Sequence, residues 1–329
     1  MQKKFDDYKV VKYSKEFYSQ WNDFILNSKN GTFLFHRDFM EYHSDRFEDF
    51  SILIFYKGKL QAVLPANVIG GEIHSHQGLT YGGLVLVKEI KFEGVLELFK
   101  LLLKFYFKAE IKTVYIKQIP FIYTSFFNEE LEYLMFIVKA ELVKKETLSV
   151  ISQCDKLGFS KGRLEGFKRG RKYGLVIKEE QDLSLFWNEI LLQNLKKKHN
   201  AKPVHSLEEI TLLKGRFPKN IRQFNVYHDN NIVAGTTIFE SKHVAHSQYI
   251  SGNDDKNRLG SLDILHVYLI EEVFKSKRYF DFGISNENKG LNVNKGLQFW
   301  KEGFGARTVT QNFYKVETKN YSLFEKLFV

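Results

Sequence analysis

The same order of secondary-structure signals occurs twice along this 329-residue chain, and that repetition limits the fold more than any single motif. In the first half, residues 51–56 (Ser-Ile-Leu-Ile-Phe-Tyr) read as a strand. Lys57-Gly58-Lys59 reads as a hairpin turn and residues 60–69 as the return strand. Gly70-Gly71 turns the chain into 72–76; a glycine-rich stretch at 78–84, a helix over about 92–108 and a strand over 113–118 follow. In the second half, 221–227 is a strand, 228–231 an Asx-rich turn and 232–239 its return. A further strand at 243–251, a polar loop at 253–260, a helix at 262–274 and a strand at 279–283 complete the copy. A unit of this length buries its own core, so the duplication predicts twin domains. The expected boundaries are 1–156 and 157–315, with 316–329 packing back on the first domain. The expected class is α/β (in the α+β sense), each domain a mixed, mostly antiparallel sheet flanked by helices. The joining segment, 157–200, is basic and reads as mostly helical. Leu183, Phe186, Trp187, Ile190 and Leu191 fall at helix spacing, with Asp182 as a cap.

Composition removes several classes. A chain with 43% hydrophobic and 27% charged residues is globular rather than disordered. Its single cysteine, Cys154, makes no internal disulfide and supplies no cysteine-rich zinc site; a reducing, cytoplasmic setting and a bystander thiol are expected. The histidines are scattered, so no metal is expected. No apolar run follows the first lysines, so no secretory signal is expected. The longest apolar stretch, 95–107, carries Lys100 and Lys104, with Lys108 just beyond it. The three recur at i, i+4 and i+8, with Glu93 and Glu97 on the same side. That is an amphipathic helix; a span needs about 20 apolar residues, so no integral membrane association is expected. The net charge, 49 − 39 = +10, suits an anionic partner such as a nucleotide diphosphate, coenzyme A, tRNA or a membrane surface. A merely well-solvated lysine-rich surface carries the same charge.

The polar loop is the first candidate site. A strand feeding a loop and then a helix N-terminus gathers free N–H groups and the positive end of the helix dipole. Lys256, Arg258 and Gly260 suit a pyrophosphate there, whereas Asp254 and Asp255 do not. On the preceding strand, alternation places His246 and Gln248 on one face and Tyr249 on the other. His246 is a candidate general base, while Gln248 and Tyr249 are candidate donor-binding residues. Arg169 and Arg171, in the basic run 168–172, offer planar forks to an acceptor diphosphate.

Taken in order, these elements resemble the GNAT acyltransferases, and their duplication is similar to the FemAB-type transferases. Tyr-Phe-Asp-Phe-Gly-Ile-Ser at 279–285 and Leu-Gln-Phe-Trp-Lys-Glu-Gly-Phe-Gly-Ala at 297–306 look like the Asp-Phe-Gly strand and helix end that close the second FemAB domain. Ser-His-Gln-Gly-Leu-Thr-Tyr-Gly-Gly at 75–83 and Lys-Arg-Gly-Arg-Lys at 168–172 look like polysaccharide-associated relatives. The resemblance implies two tandem GNAT-like domains, with the donor in the second. It gives Lys301 the role of stabilising the oxyanion, at little expected cost in stability when removed. Asp281, beside it, is expected either to deprotonate the amine or to pair with a cation. Many single-domain GNAT enzymes place a tyrosine two residues before the matching cation; here Phe299 stands there. His36, Arg37, His76 and Tyr81 are expected on the acceptor side.

The activity implied is transfer of an acyl group from acyl-CoA, acetyl-CoA first among them, to an amine. The acceptor implied is an amino sugar of a cell-surface polysaccharide precursor, nucleotide- or lipid-linked. One alternative is an aminoacyl-tRNA-dependent transferase acting on a peptidoglycan precursor, with tRNA as partner. Another is a non-catalytic binding protein of the same fold.

Overall fold

The computed structural model describes residues 7–199 and 203–328. The amino-terminal stretch inspected for a signal lies largely outside them. The chain forms two compact units, Met1–Glu146 with Thr310–Val329, and Thr147–Val309.

In unit 1, Lys57 and Gly58 adopt left-handed φ values of 49° and 75°, the tight turn that joins Ile52–Tyr56 to Lys59–Leu64. The return strand ends sooner than its sequence suggests. Pro65 supplies no N–H, and the chain changes sheets there. Lys59–Leu64 stays in an antiparallel sheet with Tyr8–Lys12, Ile52–Tyr56 and Val85–Leu86, whereas Asn67–Ile69 pairs with Glu72–His74. Glu72–His74 lies parallel to Thr113–Lys117, which pairs antiparallel with Phe313 to Glu317. Helix Phe92–Lys108 buries Val95, Leu96, Leu98, Phe99, Leu102, Leu103 and Tyr106, one broad apolar stripe. Phe324 of the returning carboxy-terminal segment meets Phe99 at 6.0 Å.

Unit 2 is built on Val176–Glu180, Ile221–His228, Asn231–Glu240 and Val244–Gly252, each antiparallel to the next. Tyr279–Ile284 then runs parallel to Val244–Gly252, and residues 148–152 close the series antiparallel to it. Val176–Glu180 departs from the helical reading of the joining segment. Its polar sequence, Val-Ile-Lys-Glu-Glu, hides an edge strand that needs no second buried face. The core gathers Phe224, Leu265, Ile270, Phe274, Phe280, Phe282 and Phe304.

No helix among the described residues is long and apolar enough to cross a membrane.

Candidate active site

Strands Val244–Gly252 and Tyr279–Ile284 keep register only through Val244↔Tyr279, Ala245↔Phe280 and His246↔Asp281. Beyond this, the first continues along Asn231–Glu240 as far as Ala234↔Gly252, and the second pairs Ile284 with Leu148. Each strand follows its outer neighbour, so the two part, with His246 and Asp281 at the apex of the gap. A β-bulge sits just beyond the apex. Thr237 pairs with Tyr249 and Ile238 with Ser247, which leaves Gln248 as the extra residue. The bulge corrects the strict alternation expected here. Ala245 and Ile250, five apart, both meet the core, and His246 and Tyr249 share the opposite face.

The apex pair is a carboxylate–imidazole couple. His246 Nδ1 lies 2.8 Å from Asp281 Oδ2, and Asp281 Oδ1 accepts the Gly283 N–H at 2.7 Å. Asp281 is 0% exposed. A carboxylate so buried and bonded cannot reach an acceptor amine, which removes the reading of Asp281 as a base. It instead fixes the ring so that Nδ1–H donates, leaving the Nε2 lone pair as acceptor. Gly283 is needed beside it: its φ is +69°, and a Cβ there would come within 3.1 Å of His246 Cε1.

Lys301 arrives from helix Lys295–Glu302, whose start is capped by the Asn294 side chain. Its Nζ donates to the carbonyls of Gly283 at 3.0 Å and Ile284 at 2.6 Å, at the end of the parted strand. Burial pulls its pKa down to about 8, with the Asp281 charge opposing. An ammonium has three N–H groups, and two are in use here. Lys301 is 2% exposed, so the expectation that its removal leaves stability almost untouched is corrected: two carbonyls would lose their donor. Phe299 is 74% exposed and has no proton to give.

The polar loop is less open than expected. Asp255 takes Arg258 at 2.9 Å and Asp254 takes Lys197 at 2.7 Å. Lys256 opens only a four-residue helix, Lys256–Leu259. Gly260, at φ +71°, lies against helix Lys161–Lys172; a Cβ would fall 2.1 Å from the Gly166 carbonyl oxygen. Its glycine thus serves close helix packing rather than an open phosphate cradle. Gly166 in turn abuts the Asp263 carboxylate, which pairs with Arg163 Nη1 at 2.5 Å. The Arg163–Asp263 pair escaped sequence reasoning; the i, i+4 spacing of Gly166 and Gly170 was its available signal. Arg169 Nη2 donates to the Asn257 carbonyl at 3.3 Å and its Nε is buried without a partner, so Arg169 belongs with this loop. Arg171 is exposed, 6.0 Å from the Phe167 ring. Tyr249 packs edge-on against Trp187 and places its hydroxyl 2.6 Å from His205 Nδ1. Gln248 Oε1 is buried and unpartnered.

The unit 1 candidates do not gather in the same way. Arg37 is buried. It bonds Glu41 Oε1 at 2.9 Å, Asp49 Oδ2 at 2.7 Å and Ser51 Oγ at 3.3 Å, and it lies 3.7 Å over the Tyr13 ring. Its fork is committed to the fold, which corrects its acceptor-side assignment. Tyr81 is likewise a core residue, its hydroxyl donating to Thr32 Oγ1 at 3.0 Å. His36 caps helix Arg37–Met40 through Nδ1, which accepts from the Asp38 N–H. His76, at φ +65°, stacks on His43 with centroids 5.0 Å apart. Burial holds its pKa down to about 3, so it is neutral. It lines a pocket of about 160 Å³ with His74, Tyr115, Lys117, Lys144 and Phe313.

Residues 164–292 match the family described as acetyltransferase (GNAT) domain. The fold is a tandem GNAT-like one. FemX is similar in structure at a TM-score of 0.68, with 8% identity over 94% of this chain and 98% of that one. L-PGS from Bacillus licheniformis gives 0.55, with 12% identity over 80% and 84%. A tandem GNAT protein from the clavulanic acid biosynthesis pathway gives 0.50, with 11% identity over 94% and 98%. At such identities the shared feature is the fold. No curated protein matches the sequence significantly. The tandem GNAT-like architecture expected from the duplicated element order is therefore present.

Proposed function

We propose that the protein is an N-acyltransferase whose reaction takes place in the gap between strands Val244–Gly252 and Tyr279–Ile284. The observation that carries this reading is the apex, where an oriented imidazole and a buried ammonium are fastened to the same parted strand.

The chemistry follows from those two groups. The amine attacks the acyl carbonyl and a C–N bond forms. The carbonyl oxygen gains the negative charge, which the Lys301 ammonium stabilises through its remaining N–H. His246 Nε2 takes the proton released by the amine, and Asp281 steadies the resulting imidazolium. The intermediate collapses with loss of the thiolate of an acyl-CoA donor, acetyl-CoA being the first choice. Because Phe299 offers no proton, the thiolate takes one from His246 or from water. Gln248, Tyr249, Lys256 and Arg258 are the donor-side candidates, and Arg169, from helix Lys161–Lys172, bonds the Asn257 carbonyl of their loop. Arg171 is the exposed fork for an acceptor diphosphate. The acceptor is an amine, with an amino sugar of a cell-surface polysaccharide precursor as the first class to assay.

One observation favours a second donor. The loop cation Arg258 is already paired with Asp255, and Asp254 holds Lys197 of helix Leu192–His199, which weakens a pyrophosphate site. An aminoacyl-tRNA donor needs no such site. The test is a donor panel read by thermal shift and by product mass. A saturable shift with acetyl-CoA or a longer acyl-CoA supports the first reading. Charged tRNA binding without any CoA response supports the second. Failure of both, with no product, leaves a binding protein of this fold and overturns the enzymatic reading.

A further inference from the structure

Helix Lys161–Lys172 has two unlike faces. Gly166 and Gly170 press into unit 2, where a Cβ on Gly170 would meet Ile264 at 2.8 Å. Arg163, half-buried, pairs inward with Asp263. At 100° per residue, Lys161, Leu164, Glu165, Lys168, Arg171 and Lys172 fall within one third of the turn on the other side, and all are exposed. That face holds four cations and one carboxylate. Leu164, 42% exposed, stands among the cations, and Leu157, 47% exposed, just precedes the helix. None of the four cations has an ion pair among the described residues.

We propose that this outer face docks the protein on an anionic lipid bilayer. The charges supply the attraction, because a cluster of lysines and arginines on a helix is drawn to the negative surface of such a membrane. The two exposed leucines choose the bilayer over a nucleic acid. Apolar side chains set between cations enter the boundary of headgroup and acyl chain, whereas a phosphate backbone offers them nothing. The glycine-packed inner face holds the helix firmly, so the cations are presented together rather than along a loose segment. The inference does not depend on the acyltransfer reading.

The experiment is co-sedimentation of the full chain with phosphatidylcholine vesicles, either pure or containing about 30 mol% phosphatidylglycerol, a level at which the surface is strongly anionic. Binding is expected only to the anionic vesicles. Raising the salt from about 0.05 M to about 0.5 M shortens the screening length and should release the protein. Lys161→Gln, Lys168→Gln and Lys172→Gln together should lower partitioning roughly 100-fold. A control carrying Lys57→Gln, Lys59→Gln and Lys91→Gln has the same net charge and exposed positions elsewhere. It should bind vesicles as the parent does. Equal loss in both triple variants would reduce the effect to net charge and overturn the proposal, as would equal binding to neutral vesicles or none to anionic ones. So would a helix variant that keeps vesicle binding but loses affinity for a mixed RNA.

Discussion

Each unit holds one parallel strand pair inside an otherwise antiparallel arrangement, and the two pairs end differently. In unit 2 the strands part after His246↔Asp281, and side chains occupy the apex. In unit 1 the strands part after His74↔Tyr115, and the chain that follows bonds across the divergence. Ser75 N–H donates to the Tyr115 carbonyl at 2.8 Å, its Oγ accepts from the Lys117 N–H at 2.8 Å, and Gly82 N–H donates to the Lys117 carbonyl at 2.7 Å. Lys117 Nζ then donates to the Leu79 carbonyl. Each pair is thus fastened by a lysine on backbone carbonyls, Lys117 in one unit and Lys301 in the other. The same geometric problem, unpaired strand edges where parallel strands diverge, is met in unit 1 by hydrogen bonds from Ser75 and Gly82. In unit 2 a bulge at Gln248 and a left-handed glycine at 283 stand at the divergence instead. A duplicated fold offers two such divergences, and they carry different groups: a pocket of about 160 Å³ lined by His74, His76, Tyr115 and Lys117 in unit 1, and the His246, Asp281 and Lys301 side chains in unit 2.

The largest expected effect tests that asymmetry directly. Lys301→Met keeps the buried volume and removes the charge, and should lower turnover about 10²- to 10³-fold with the donor identified in the panel. Lys117→Met, the same change at the unit 1 pair, should leave turnover within about twofold, since it removes no group that meets the reacting carbonyl. Similar losses in both variants would mean that both pairs serve the reaction. Thermal melts of each variant separate lost catalysis from lost folding.

Glycine substitutions invert the contrast. A Cβ on Gly82 would fall 1.8 Å from the Ser75 carbonyl oxygen, so Gly82→Ala should destabilise by about 1–3 kcal/mol or more, read as a fall in the urea midpoint. Gly283→Ala faces only the far end of the His246 ring at 3.1 Å and a left-handed backbone, and should cost about 1–2 kcal/mol. It should also displace the imidazole and slow turnover, which Gly82→Ala in the surviving folded fraction should not. Full activity in Gly283→Ala would show that the ring position is not needed.

How much of this was legible in the sequence differs by feature. Helix Phe92–Lys108 and the Lys57-Gly58 turn were plain, because their signals are local: a 3.6-residue apolar stripe and a left-handed pair. The Asp-Phe-Gly run marks the strand that carries Asp281, and the structure brings His246, Asp281 and Lys301 to the same strand. Their division of labour was not legible. Whether a carboxylate is a base or an orienting group depends on burial and on the Gly283 N–H, both fixed by long-range packing. Arg37 shows the same limit. Nothing near it in sequence reveals that Asp49 and Tyr13 will enclose it. The bulge at Gln248 leaves no local signal in the alternating sequence, and a single extra residue reverses every face beyond it.

The smallest effect, and the sharpest comparison, is in pH. Burial holds Lys301 at about 8 and Lys117 at about 8, against an ordinary value of 10.5. A lysine depressed on folding binds its proton less tightly in the native state than in the unfolded chain. Between pH 8 and 10.5 the unfolded chain therefore holds more protons, and each lysine should make stability rise with pH across that window. Below pH 8 both states are protonated and the slope vanishes. The slope is bounded at about 1.4 kcal/mol per pH unit for each fully differing proton. Turnover should move the other way, because the oxyanion needs the ammonium and Lys301 loses it as pH rises through about 8. Urea midpoints and rates measured together from pH 7 to about 9, below the range where most other lysines titrate, separate the two groups. Lys117→Met should remove part of the stability slope and leave the pH–rate profile unchanged. Lys301→Met should remove a comparable part of the slope, and its residual rate should no longer fall near pH 8. A rate that rises through pH 8 in the parent protein but not in Lys301→Met would mean that neutral Lys301 takes part in the reaction as a base, and the two fastening lysines would then differ in chemistry as well as in place.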